Sequence, residues 1–463
     1  MKVLICGVDG YLGWALAQSL VARGHCVAGI DNYYRREWVK EEGAKSATPI
    51  KRMDIRLDHF RKKYGQNLNF SQGCLKDYHF VKTAIQKFEP DAIVHLAEMP
   101  SAPFSMIGFD HCWDTHENNM KGTLALLFAM RDYAPNAHLI KLGTMGEYGT
   151  PDTDIPEGVF EPGTMYRGKD LGGMIFPRKA GSWYHNTKIH DSVNVEMACR
   201  IWGLKSTDIM QGVVYGTRTP EMVDNLGNLD ENLCTRFDFG ECFGTAINRF
   251  CSQAVIEHPM TVYGKGKMKR GFLTIEDSIQ CMTLAIENPP IEGQLGTTNG
   301  YRVFNQFEEV YDVTELAQKV LKAAKNVGLN AELDIKQVEN PRIENEENYY
   351  NPDHKHLLDL GYKPNHNMDR ELEYILSDLQ RFKERILLRK EAIMPKIGFG
   401  GQIRKFDFLD ATKVPEQQIA QERNSSDKLR QNLHTELEDM LSQVKLATQQ
   451  KIDEIINKAG QSY

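Results

Sequence analysis

A chain of 463 residues is long enough for two domains, or one large domain with an appendage, around a sizeable core. Its net charge of -7 gives a nucleic-acid partner no footing, and short basic runs such as Arg61-Lys62-Lys63 read as solvated surface. No apolar run is long enough to span a bilayer, and nine cysteines without a Cys-x-x-Cys pair suit a reducing compartment, so a cytoplasmic protein is expected.

The predicted elements begin with a strand in "KVLICGV", a helix from about Tyr11 to Arg23, and a second strand in "CVAGIDN". "DAIVHLAE" and "HLIKLGT" repeat the theme with helical pattern between them. Apolar strands alternating with helices imply a parallel sheet covered on both faces. Residues 150–178 are rich in Gly, Pro and Asp and have no period, so they read as a long functional excursion. From 211 to 396 the pattern is mixed, with short strands in "MTVYG" and "GYRVFNQF" and a helix in "VTELAQKVLKAAKNVG"; this suits a smaller substrate-capping lobe, its strands open to sharing with the first domain. A polar linker follows over 397–425. Over 426–459 the apolar residues Leu433, Leu437, Met440, Val444, Ala447 and Ile455 recur at helical steps, predicting an amphipathic tail that meets the body, a second subunit or a partner.

Gly7, Gly10 and Gly13 stand three apart between the first strand and the first helix. Such a turn lets backbone N–H groups approach a pyrophosphate at the positive end of the helix. Asp31 ends the next strand, where a carboxylate accepts from a ribose 2′-OH and repels a 2′-phosphate. The expected fold is therefore α/β, a Rossmann-type doubly wound parallel sheet over 1–210, with NAD as cofactor. Arg35 and Arg36 stand close enough in sequence to reach a phosphate. The alternative is that both lie on the loop surface.

Tyr184 and Lys188 lie four apart, on one face of a helix. A neighbouring ammonium favours phenolate, which is what a general base for an alcohol needs. Tyr78/Lys82 and Tyr263/Lys267 share the spacing, but only Tyr184 follows a strand ending at Thr144, a hydroxyl able to bond the same alcohol. His185 is a second candidate proton carrier or a structural histidine. The group His111, Cys112 and His116 has no further ligand cluster to complete a metal site, so none is expected.

The glycine triplet, Asp31, "NMKGT", Thr144 and Tyr184-x-x-x-Lys188 resemble the extended short-chain dehydrogenase/reductase superfamily, the NAD-dependent epimerases and dehydratases of nucleotide sugars. "SAPFSMI", "KLGTMGEYGTP", "YHNTKIHDS", "QGVVYGT", "FGTAINRFC", "TVYGKG", "RVFNQF" and "NPRIENEENYYN" carry the resemblance further, to the UDP-sulfoquinovose synthase family, from residue 1 to about 396. That resemblance implies NAD in the first domain and UDP-glucose in the lobe. The sugar C4-OH is oxidised, C5 loses its proton, water leaves C6, sulfite adds, and the hydride returns. It implies Tyr184 as base with Lys188 its electrostatic partner, Thr144 as hydroxyl ligand, and His185 beside them. It places the cofactor against Gly7, Gly10, Tyr11, Leu12, Gly13, Asp31, Asn32, Arg35, Arg36, Cys74, Leu75, Leu96, Ala97 and Asn119, besides Tyr184 and Lys188. Ser101, Met145, Glu147, Gln211 and Asn248 would meet the sugar nucleotide, with Arg270 and Arg342 on its pyrophosphate. A homo-oligomer, a dimer, is implied too.

Three departures stand out. Gly73-Cys74 replaces a Gly-Asp that helps hold adenine, and Met99-Pro100 replaces Gln-Arg before "SAPFSM". "GKMKRGF" replaces a Gly-Gln-Thr-Arg-Gly turn, adding Lys267 and Lys269. Loss of an arginine beside the sugar is unfavourable for an anion such as sulfite. It keeps open a 4-epimerase or 4,6-dehydratase sharing the first step. A non-catalytic dinucleotide sensor or scaffold would not need Thr144, Tyr184 and Lys188 together.

Overall fold

The opening run folds as β1 (Lys2–Cys6), and its side chains alternate between two buried clusters, Val3 and Ile5 on one face and Leu4 and Cys6 on the other. Only a strand covered on both sides is satisfied by that pattern. The computed structural model describes residues 1–400 apart from 295, 344, 346 and 366. Most of the expected linker and all of the expected helical tail lie outside the described residues.

After β1 come α1 (Tyr11–Ala22), β2 (Cys26–Asp31), β3 (Asn69–Gln72), α2 (Tyr78–Phe88), β4 (Ala92–His95) and α3 (Gly122–Tyr133). Then follow β5 (His138–Thr144), α4 (Trp183–Trp202) and β6 (Lys205–Gln211). All six strands run parallel in the order 3-2-1-4-5-6. The order reverses between β1 and β4, and a crevice for ligand opens there beyond the carboxyl ends of the strands. Trp14 and Leu16 of α1 cover one face of the sheet, while Val81, Leu126 and Val195 of α2, α3 and α4 cover the other.

Beyond β6 the chain builds β7 (Val213–Tyr215), α5 (Ala246–Val255), β8 (Met260–Tyr263), β9 (Lys269–Thr274) and α6 (Ile275–Glu287). It continues through β10 (Thr297–Thr298), β11 (Tyr301–Gln306), β12 (Glu309–Asp312), α7 (Val313–Asn326), β13 (Ile335–Val338) and α8 (Met368–Gln380). The run "GYRVFNQF", read as a strand of the lobe, belongs to the main sheet. β11 lies parallel to β6 from Tyr301–Ser206 to Gln306–Gln211, and all six of its residues are buried. Burial on both faces is affordable only inside a covered sheet, which explains its position. The lobe has its own core, where Phe250 of α5, Val320 of α7 and Ile375 of α8 meet. Among the described residues no helix is long and apolar enough to cross a membrane.

Candidate active site

The turn after β1 is built for close approach. Gly7 has φ +89°, and a Cβ on it would lie 2.7 Å from the Leu96 carbonyl carbon; one on Gly13 would lie 2.2 Å from the Gly7 carbonyl oxygen. α1 starts from Gly10 with no side-chain cap and no acidic residue in its first turn, so its N–H groups remain for an anion. Gly7, Gly10, Tyr11, Leu12 and Gly13 line one cavity with Leu75, Leu96 and Ala97. This cradle fits the pyrophosphate of a dinucleotide, because side chains have been removed where one must enter and donors left where charge must be met.

Asp31 and Asn32 line the same cavity. The Asp31 carboxylate accepts from the backbone N–H of Asp9 at 2.9 Å and of Tyr33 at 2.7 Å, one on each oxygen. Each oxygen keeps a lone pair for a ribose hydroxyl. Burial, and then the Asp9 charge, push Asp31 up to about 6. Asn32 donates to Cys74 Sγ at 3.3 Å. Arg36 is turned to Asp9 and to the Lys51 carbonyl oxygen, at 3.0 Å, and stands outside the cavity lining.

Arg35 does line the cavity. It grips Asp238 with Nε at 3.1 Å and Nη2 at 2.7 Å, and its guanidinium lies 4.1 Å over Phe243. Arg236 holds the same carboxylate at 3.0 and 3.1 Å, and Asn248 donates to the Asp238 carbonyl at 3.0 Å. One Nη atom of each arginine and the Asn248 Oδ1 are buried without a hydrogen-bond partner, in a wall facing the cavity. Such orphaned groups fit an anionic or hydroxyl-rich ligand.

Of the candidate reacting groups, Tyr184 and Lys188 line the cavity, whereas Thr144 and His185 are not among its lining residues. Thr144 closes β5; its Oγ1 accepts from Gly146 N–H at 3.1 Å, which leaves the hydroxyl proton available to donate. α4 starts at Ser182, whose Oγ accepts from His185 N–H at 3.2 Å and lies 2.9 Å from His185 Nδ1. Tyr184 N–H donates to Ser105 Oγ at 3.0 Å. Tyr184 and Lys188, one turn apart, both line the cavity.

The expectation that Lys188 lowers the tyrosine's proton affinity meets a different arrangement. The Lys188 ammonium is paired with Glu98 and donates to the Leu142 carbonyl. Burial opposes that ammonium, but Glu98 offsets it and the net shift is upward. Burial, and then the charges of Glu98 and Glu147, hold the Tyr184 phenol above its ordinary value. His185 is depressed to about 3 by burial and by the Arg342 and Arg270 charges, which favours the neutral imidazole.

Other expected contacts are placed behind the cavity. Asn119 is fully buried and accepts from Met99 N–H at 2.8 Å while donating to Thr187 Oγ1 at 2.9 Å, which ties the loop after β4 to α4. Glu147 accepts from Lys141 at 3.3 Å, from Ser192 at 3.0 Å and from Arg178, the end of the excursion. Met145 packs into a core cluster. Gln211 donates to Ser278 at 2.8 Å and Gln306 at 2.7 Å, and Ser101 accepts from Phe104 N–H at 3.1 Å. Arg270 and Arg342 are felt at His185 but are not among the cavity-lining residues.

Tyr78 bonds Asp132 at 3.3 Å on the surface and Lys267 bonds Asp312 at 3.0 Å, so neither competing pair reaches the cavity. Among the charged lining residues, Glu98, Arg236 and Asp238 belong to no motif of the sequence. Glu98 had a readable signal, an acid just past an apolar strand end. Arg236 and Asp238 sit in an irregular segment with none.

Residues 3–170 match the model of the NAD dependent epimerase/dehydratase family. The chain is 46% identical over 396 residues to UDP-sulfoquinovose synthase of Sulfolobus acidocaldarius, covering 86% of this chain and 97% of that protein. It is 42% identical over 398 residues to the chloroplastic UDP-sulfoquinovose synthase of Spinacia oleracea, covering 86% and 79%. The fold resembles UDP-glucuronic acid 4-epimerase of Bacillus cereus, solved with UDP-glucuronic acid and NAD, with TM-score 0.59, 18% identity, and coverage of 82% and 99%. With the glycine cradle, Asp31 and the Tyr184/Lys188 pair in one crevice, these likenesses agree: the chain belongs to the UDP-sulfoquinovose synthase family of NAD-dependent epimerase/dehydratase enzymes.

Proposed function

We propose that this chain makes a UDP-linked sulfonated sugar from UDP-glucose and sulfite. The observation that carries the reading is the meeting of Tyr184, Lys188 and the glycine cradle in a single cavity. Gly7, Gly10, Gly13 and Asp31 would hold NAD, which when bound would supply an acceptor for the C4 hydride and later its donor. Tyr184 accepts the C4-hydroxyl proton and returns it. Thr144 donates to the same oxygen, and the neutral His185 bonds the sugar beside it. Arg35, Arg236 and Asn248 offer buried donors and an acceptor to the remaining polar groups of the ligands. The decisive experiment incubates the purified protein with UDP-glucose, with and without sulfite, and identifies products by mass. A sulfonated UDP-sugar only in the sulfite arm is expected.

A second reading, a 4-epimerase or 4,6-dehydratase, is favoured by one observation. Pro100, where the family has arginine, lines the cavity. UDP-galactose or a dehydrated UDP-sugar formed without sulfite would establish it.

We also propose a homo-dimer. Phe109, Trp113, Leu124 and Phe128 are exposed before and along α3, and Trp183, Val193, Met197 and Ile201 along α4, which packs beside it. A second copy would cover that face.

A further inference from the structure

Glu98 lies three residues past β4 and lines the cavity together with Tyr184 and Lys188. Its side chain is 5% exposed and that of Lys188 is 4% exposed, so the pair is shut away from water. One Glu98 oxygen takes the ammonium. The other, buried without a hydrogen-bond partner, stands 3.5 Å from His95 Nε2, which is itself 3.0 Å from Thr123 Oγ1. The same ammonium donates to the Leu142 carbonyl at the end of β5. Lys188 is thus fixed from two sides at once, by a charge from the loop after β4 and a carbonyl of β5.

We propose that Glu98 is a positioning residue for this chemistry: it pins the Lys188 ammonium at the strand ends and sets a negative charge against that cation beside the Tyr184 phenol. The proposal rests on the enzymatic reading above. A flexible lysine would otherwise sample several rotamers, and a buried one would tend to shed its proton. A carboxylate at hydrogen-bond distance prevents both. Its charge also raises the proton affinity of Tyr184, against Lys141 and Arg35 which lower it, while Glu147 adds to the rise. Around Glu98 itself stand Lys188, His95 and Lys141, with Asp191 on α4 behind them. Glu98 therefore trades ease of forming the Tyr184 phenolate for a lysine held in place.

The test uses the full-length protein and three variants, Glu98→Gln, Glu98→Asp and Glu98→Gln with Lys188→Met. In Glu98→Gln the acid limb of the kcat profile should move to lower pH by about one unit or more, because a charge that opposes phenolate is gone. Its plateau should fall about tenfold to a hundredfold with KM for the UDP-sugar little changed, as a misplaced group costs. Glu98→Asp keeps the charge and should keep the wild-type limb. Thermal unfolding reads the pair without turnover: Glu98→Gln should lower Tm by stranding a buried cation, and the double variant should recover part of that loss. A Glu98→Gln protein with wild-type limb and plateau overturns the proposal, as does a double variant no more stable than Glu98→Gln. A wild-type protein that turns over no UDP-sugar sinks the enzymatic reading instead, and the unfolding comparison still decides the pair.

Discussion

Arg36 grips Asp9 through two nitrogens, Nε on Oδ2 at 2.7 Å and Nη2 on Oδ1 at 2.6 Å. The buried Arg56 reaches the same carboxylate at 2.6 Å, so Asp9 occupies two arginines at once. An arginine so held is withdrawn from a 2′-phosphate, while Asp31 still faces the cavity with a charge that repels one. NAD should therefore bind far better than NADP, and Asp31→Ala should weaken NAD while narrowing that preference. Calorimetric titration of both dinucleotides checks this; equal affinity in the wild type would contradict the assignment of Asp31.

Cofactor binding should also depend on pH. With Asp31 raised to about 6, the cofactor-free protein carries a neutral carboxyl below that value and a carboxylate above it. A ribose hydroxyl donates well only to the carboxylate. NAD affinity should hold steady above about pH 7 and fall as pH drops through 6, and the fall should vanish in Asp31→Asn. Dissociation constants measured between pH 5 and 8 would show it.

Tyr184→Phe should keep the ligands and lose the chemistry. Removing a positioned base costs about 10²–10⁴-fold in kcat, with nucleotide binding largely intact. Thr144→Ala removes one hydrogen-bond partner and should cost about 1–3 kcal/mol of transition-state stabilisation. Steady-state kinetics beside a UDP-binding assay separate the two effects, and full activity in Tyr184→Phe would end the proposal.

Pro100 should govern how well an anion is used. Met99 is fully buried but its N–H is anchored by Asn119, so the loop can keep its path when side chains change. Restoring Gln-Arg by Met99→Gln with Pro100→Arg should lower KM for sulfite about tenfold through a new charge-assisted contact. An unchanged sulfite KM would show that this pair does not set anion use.

The lobe should carry its own pH dependence. Glu371 on α8 is buried and pushed up to about 8 by burial, against the opposing pull of Arg218 and with nearby Glu276, Asp378 and Asp277 adding to the rise. The folded state thus holds a proton that the unfolded chain releases near the ordinary glutamate value. Stability from this group is full below that value and is lost as pH rises toward 8. Glu371→Gln should flatten that decline and raise stability near pH 8 by about 2–4 kcal/mol, read by denaturant unfolding at pH 5 and pH 8.

What the amino-acid order determined by itself was local. Strand β1, the helix from Tyr11 and the glycines between them follow from apolar run, period and backbone freedom, all set within about 25 residues. The one-turn spacing of Tyr184 and Lys188 is likewise a property of a single helix. Partnership across the sequence was decided by the tertiary structure. β11 could not be assigned to a sheet from its own residues, because an apolar strand reads alike in a lobe or a core. Glu147, expected at the sugar, is turned inward because Lys141, Ser192 and Arg178 converge on it from β5, α4 and the excursion. Glu98 and Lys188 are 90 residues apart, and so are invisible to any local pattern. Ion pairs between distant segments depend on which strand ends the sheet brings together, and that is fixed only once the whole sheet has formed.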